Sequence, residues 1–245
     1  MTDRNFARRA VALVDLTDLS NGLDETGVEG LCARAVTPLG PVAAVCLWAG
    51  FVPQARRLLR DTPVKVATVV NFPAGDDDVM RAADEARYAI LDGADEIDVV
   101  LPWRALAKGR REVVGALLGA VRAVVPPGRT LKTILETGEL KTPALIREAA
   151  RIAIGTGADF IKTSTGKTEV SATPEAVNLM LEEIRASGRT IGIKPSGGIR
   201  TLEDAKTYLA LADRIMGPDW ANPRTFRFGA SGLLEALLAA RGATP

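Results

Sequence analysis

Histidine is absent from all 245 residues of the chain. Its absence excludes a Ser-His-Asp triad, a Cys-His nucleophile pair and any His-ligated metal. Proton transfer must then fall to Asp, Glu, Lys, Tyr or water. Cysteine is scarce: Cys32 and Cys46 are the two present, and neither lies in a CxxC. Two are too few for a disulfide framework, and a reduced, cytoplasmic setting is expected. Aromatic residues make up only 4%, so the core must be built from Val, Ile, Leu and Ala. An excess of either charge is also missing. Lys plus Arg number 31 against 30 acidic residues, which gives no reason to expect nucleic acid or an anionic membrane as partner. The longest uncharged run, Val42 to Pro53 with its neighbours, is interrupted by Gly and Pro and so lacks the roughly 20 consecutive apolar residues a membrane span needs. The start, MTDRNFARRA, is charged and lacks the apolar region of a signal peptide.

What is present is a regular alternation. Short β-branched runs fall at 11–17, 41–47, 64–70, 95–101, 130–136, 159–164, 190–196 and 225–230. Amphipathic stretches of helical length lie between them, as in MRAADEARYAILDG (80–93), TPALIREAARIAIGTG (142–157) and TPEAVNLMLEEIRASG (173–188). Thr173 reads as an N-cap with Pro174 at the first helical position. Eight strand–helix units in one series imply a parallel sheet. At this length they predict an α/β chain folded as one (β/α)8 TIM barrel over 1–245, with a short helical segment at about 1–10. A doubly wound open sheet is the alternative; no GxGxxG follows the first strand to support it. There is also an internal echo. DGADEIDVV (92–100) and TGADFIKTS (156–164) share Gly-Ala-Asp-x-Ile, and superposing them places Asp98 where Lys162 stands.

Charge sits inside these strands. Alternation puts Lys162 on one face with Phe160 and Ser164, and Lys194 with Gly192 and Ser196. It likewise groups Lys132 with Ile134 and Glu136, and Asp98 with Glu96 and Val100; Asp15 lies on the first strand. A single strand lysine commonly sits at a strand end and snorkels to water. Three on successive strands, beside an aspartate, suggest convergence on the barrel axis, and inward cations against few anions would be a poor structural device. A neutral lysine amine forms Schiff bases with carbonyls. Bringing a lysine from about 10.4 to near 7 takes about 3 units, roughly 4 kcal/mol. Burial and a second lysine both push that way. Lys194 is placed to do so for Lys162, and Asp98 to move protons.

Gly197-Gly198 follows Lys194 in KPSGGIRT, and FGASG (228–232) joins the last strand to the last helix. Each alone reads equally well as a turn. Together, after strands seven and eight, they favour a phosphate site. STGKT (164–168) is a third candidate but lacks P-loop spacing.

These stretches together resemble the deoxyribose-phosphate aldolase family, Schiff-base aldolases on a (β/α)8 barrel. NFPAG (71–75), GADEIDVV, LKTILETGEL (131–140), GADFIKTSTGK, KPSGGIRT and RFGAS (227–231) carry the resemblance over nearly the whole chain. It implies reversible cleavage of 2-deoxy-D-ribose 5-phosphate to D-glyceraldehyde 3-phosphate and acetaldehyde, with no metal and no organic cofactor. It assigns the Schiff base to Lys162, acid/base work to Asp98 and the perturbing role to Lys194. Asp15, Thr17, Lys132, Thr165 and Lys167 would line the pocket, and Gly166, Gly197, Gly198, Gly229, Ser231 and Gly232 would hold phosphate. It also implies a homodimer. Gly232 stands where relatives often have a second serine, and the final residues LLAARGATP lack the tyrosine that ends some relatives' tails. The rival readings are a Schiff-base aldolase with another aldehyde donor, a phosphate-binding barrel without catalysis, and a flavin barrel. Cys46 is expected to be a small buried residue, with a place facing the pocket as the alternative.

Overall fold

The structure, a computed structural model, describes residues 2–240. Eight parallel strands form one sheet: β1 (Val14–Thr17), β4 (Ala44–Leu47), β5 (Lys65–Val70), β6 (Glu96–Val100), β7 (Thr130–Ile134), β8 (Phe160–Lys162), β9 (Gly192–Lys194) and β10 (Phe228–Ala230). Their order is β10-β1-β4-β5-β6-β7-β8-β9. Parallel bridges Ile193–Phe226 and Ser196–Gly229 join the two ends of that order, so the sheet closes into a barrel. Each of the eight expected strands is there, shorter at its ends than the apolar run that marked it. β2 (Val36–Thr37) and β3 (Gly40–Pro41) form a small antiparallel pair outside the barrel.

Helices ring the strands: α1 (Asp3–Val11), α2 (Glu25–Arg34), α3 (Val52–Leu59), α4 (Val79–Leu91), α5 (Trp103–Ala107), α6 (Arg111–Val124), α7 (Thr137–Leu140), α8 (Pro143–Gly155), α9 (Pro174–Ser187), α10 (Leu202–Met216) and α11 (Leu233–Ala239). Their starts follow from capping chemistry. The Thr173 hydroxyl accepts the Ala176 N–H at 3.1 Å, and Pro174 occupies the first turn of α9. Thr201 and Asp204 form a reciprocal capping box on α10.

Strand alternation sorts the core. Val45, Leu47, Ile97, Val99, Leu131, Ile161 and Ile193 point outward and pack under the helices in the main apolar core. Each fully buried side chain of this kind contributes about 1.5–3 kcal/mol relative to exposure. The other face of every strand points to the barrel axis.

The Gly-Ala-Asp echo is a latch between neighbouring units. Asp95 accepts the Val66 N–H of β5 at 3.0 Å and pairs with Arg56 of α3 at 2.8 Å. Asp159 accepts the Leu131 N–H of β7 at 2.8 Å and pairs with Arg122 of α6 at 3.0 Å. The preceding glycines, Gly93 and Gly157, have φ of 101° and 92°. A Cβ on either would stand 3.1–3.2 Å from the arginine stem, Arg56 Cγ or Arg122 Cδ. The repeated sequence thus locks each strand to the one before it.

Candidate active site

The lysines of β7, β8 and β9 reach a single carboxylate. Asp98 Oδ2 accepts from Lys162 Nζ and Lys194 Nζ, both at 2.8 Å, and Asp98 Oδ1 accepts from Lys132 Nζ at 2.9 Å. Register explains the convergence: Asp98 is paired with Lys132, and Lys162 with Lys194, on adjacent strands. Asp15 of β1 sits on the far side, 2.6 Å from Lys194 Nζ and 3.6 Å from Lys132 Nζ.

The anions are not few, contrary to the expectation from strand charges. Glu96 and Arg227 complete the cluster. Lys132 donates to Glu96, and Arg227 reaches Glu96 at 2.9 Å and Asp15 at 2.6 Å. Glu96 was visible in the sequence on the Asp98 face. Arg227 carried a signal too, as a charged residue entering an apolar strand.

These contacts decide which lysine can lose its proton. Burial lowers the pKa of Lys162; Asp98 opposes this and Lys194 adds to it, and the net shift is downward. Burial also disfavours charge on Lys194 and Lys132, but two or three carboxylates around each outweigh it and hold both above the ordinary lysine value. Asp98 is buried, yet the three lysines hold it well below the usual carboxylate range. Asp15 is held low in the same way by Lys194, Arg227 and Lys132. Lys162 is also the one lysine of the three whose side chain retains any exposure, 2% against none.

Above this floor opens a cleft of about 330 Å³ at the C-terminal ends of the strands, lined by the loops that follow β1, β8, β9 and β10. Of the expected residues, Thr17, Thr165, Gly166, Lys167, Gly197, Gly198, Gly229 and Ser231 line it. Gly166, Gly197 and Gly198 have φ of 76°, 85° and 80°, a region side chains avoid. A Cβ on Gly229 would stand 2.5 Å from Ser196 Oγ and 3.0 Å from Lys194 Cε. Glycine at that position lets the backbone pass directly over Lys194.

Asp15 and Lys132 lie elsewhere, fully buried in the floor, because their strands place them a layer below the strand ends. Gly232 N-caps α11, outside the cleft lining. Arg200, the second cation in KPSGGIRT, lines the cleft beside the glycines. Glu136 has φ of 56° and accepts from the Thr165 N–H at 3.2 Å and the Thr165 hydroxyl at 2.6 Å. It fastens the loop that bears Gly166 and Lys167; Lys167 Nζ in turn donates to the Leu19 carbonyl at 2.8 Å. Cys46 points into the barrel with Ala44, Ala67 and Val69, and burial raises its thiol pKa. Residues 241–245, where the tail tyrosine of some relatives would be compared, lie outside the described residues.

Comparison with known proteins agrees with this geometry. The profile described as "DeoC/LacD family aldolase" matches residues 9–237. The chain is 51% identical to the deoxyribose-phosphate aldolase of Agrobacterium fabrum, over 96% of this chain and 91% of that one. A crystal structure from Toxoplasma gondii ME49, provisionally described as a deoxyribose-phosphate aldolase, superposes with a TM-score of 0.89 at 29% identity, covering 99% and 98% of the two chains. The tetrameric deoxyribose phosphate aldolase of Aeropyrum pernix shares the fold at 23% identity, with a TM-score of 0.76 over 98% and 93%.

Proposed function

The chain belongs to the DeoC/LacD family of aldolases, and on that premise we propose how its residues divide the work of a Schiff-base lyase. The reaction is the reversible cleavage of 2-deoxy-D-ribose 5-phosphate to D-glyceraldehyde 3-phosphate and acetaldehyde. The observation that carries the division is the convergence of three lysines on Asp98, with only Lys162 shifted toward the neutral amine.

Lys162 attacks the C1 aldehyde, and loss of water gives a protonated imine. That imine is the electron sink. Asp98, held as a carboxylate, accepts the C3 hydroxyl proton through a water molecule. The C2–C3 bond breaks, its electrons pass into the imine, and glyceraldehyde 3-phosphate leaves. The remaining enamine takes a proton at C2 and is hydrolysed to acetaldehyde, freeing Lys162. Lys194 stays cationic throughout and opposes a positive charge on the free Lys162 amine; Asp98, through water, gives back the proton it has taken. Thr17, Thr165 and Lys167 orient the sugar. The glycine edges at 166, 197, 198 and 229, with Ser231, supply N–H groups to the phosphate, and Arg200 adds a cation beside them.

The enzyme would act in the cytoplasm as a homodimer, in deoxyribonucleotide and carbohydrate catabolism. Two free, buried cysteines support a reduced setting, and among the described residues no helix is long and apolar enough to cross a membrane.

Borohydride reduction in the presence of 2-deoxyribose 5-phosphate or acetaldehyde, followed by peptide mass mapping, tests the division. The expected adduct is on Lys162. An adduct on Lys194 exchanges the roles of the two lysines; no adduct on a folded protein rejects the Schiff-base mechanism.

A further inference from the structure

Six of the seven charges in the barrel floor close into a ring of alternating sign. Arg227 pairs with Glu96, Glu96 with Lys132, Lys132 with Asp98, Asp98 with Lys194, Lys194 with Asp15, and Asp15 again with Arg227. Three cations meet three carboxylates, so the ring is neutral by itself. Lys162 hangs from it at one point, Asp98 Oδ2. It is the seventh charge and has no carboxylate of its own within the ring.

Glu96 and Arg227 do not line the cleft. Glu96 opens β6 and Arg227 precedes β10, on the side of the ring away from the strand ends. Their side chains are nevertheless fixed: Arg227 Nε donates to the Pro223 carbonyl at 2.6 Å, and its guanidinium lies 5.5 Å from the Phe160 ring centre. Gly192 leaves room for that ring, since a Cβ there would stand 2.2 Å from Phe160 Cε1.

We propose that Glu96 and Arg227 are positioning residues that close the ring beneath Lys162, and that this closure is what leaves Lys162 as the unmatched amine free to attack the aldehyde. If either charge is missing, the ring carries a net charge and Lys162 must respond to it. The other groups that face Lys162 are Asp98, Lys194 and Lys132 across the floor, Asp15 beyond them, Cys46 from β4, and Glu136 from the loop after β7. All of these are unchanged by substitutions at 96 and 227. The inference rests on the assignment of Lys162 as the Schiff-base amine.

The signs are opposite for the two positions. Arg227→Met leaves the ring negative, favours the protonated amine, and moves the acid limb of kcat/KM and of imine trapping to higher pH. Glu96→Gln leaves it positive and moves the same limb to lower pH. Each shift is expected to be on the order of one pH unit, the effect of one unit charge acting through a protein interior. The double variant restores neutrality, and its limb returns to within a few tenths of a unit of the parent. Arg227→Lys keeps the charge and should leave the limb in place even if packing loosens. Arg227→Gln keeps donors toward Pro223 and Glu96 and carries the prediction if Arg227→Met does not fold.

Borohydride trapping of acetaldehyde across pH 5–9, with mass mapping, reads both levels. Opposite shifts, cancelling in the double variant, support the ring. Shifts of the same sign, or none, with the adduct still on Lys162, overturn it. Absence of a Lys162 adduct in the parent enzyme overturns the underlying assignment instead.

Discussion

The barrel interior has two unlike sectors. On β4 and β5 the inward residues are Ala44, Cys46, Ala67 and Val69, roofed by Leu19, Trp48 and Phe72. From β6 round to β1 the inward positions carry Glu96, Asp98, Lys132, Lys162, Lys194, Arg227 and Asp15, all buried. The strands are built alike, so backbone geometry does not separate the sectors. Partnership does. In the charged sector each group meets a counter-charge from another strand, which is the condition for burying it at all. In the apolar sector no such partner exists, and small neutral side chains fill the space. The boundary runs past Cys46, whose thiol is kept neutral by burial. A reactive amine thus lies against an uncharged wall on one side and a neutral charge ring on the other.

Lys162→Met should have the largest functional effect, at least about 10⁴-fold in kcat, with no adduct on reduction. Because Lys162 stands outside the neutral ring, its loss should leave the urea midpoint equal to or above that of the parent. A large fall in midpoint would show that the sector depends on all seven charges together.

Moving charge across the boundary should have the next largest effect. Ala67→Asp places a carboxylate among apolar partners and should cost about 3–5 kcal/mol in denaturant unfolding. A cost under about 1 kcal/mol would mean that the apolar sector already admits water. Asp98→Asn should lower kcat about 10²–10⁴-fold, with the Lys162 adduct still forming slowly.

Acid sharpens the contrast further. Asp15 and Asp98 titrate below their unfolded values. Their contribution to stability is therefore complete above the unfolded carboxylate pKa of about 4 and is lost as pH falls from there through their depressed folded values. Urea midpoints measured downward from pH 5 should drop, and Asp98→Asn should drop less steeply. The smallest effect is expected at Glu136→Gln. Loosening the grip on Thr165 should raise KM for the phosphorylated sugar about 3–10-fold, from roughly 1 kcal/mol of lost hydrogen bonding, while kcat changes little.

The strands, the cap on α9, and the inward placement of Lys132, Lys162, Lys194 and Asp98 were legible in the sequence. Period-two alternation and threonine–proline starts are local signals, complete within a few residues. The glycines of the cleft were legible for the same reason. Whether Asp15 and Lys132 lined the cleft or lay beneath it was not, because depth along the axis depends on the stagger between strands. The partners of Glu96 were hidden as well: Arg227 lies 131 residues away in the chain. The barrel, and the chemistry open to its lysines, follow from local patterns of residues. The closing of β9 onto β10 and β1 brought Arg227 and Asp15 to Glu96 and Lys194, and no local pattern joins those residues. It is this closure that left Lys162 as the amine without a counter-charge of its own.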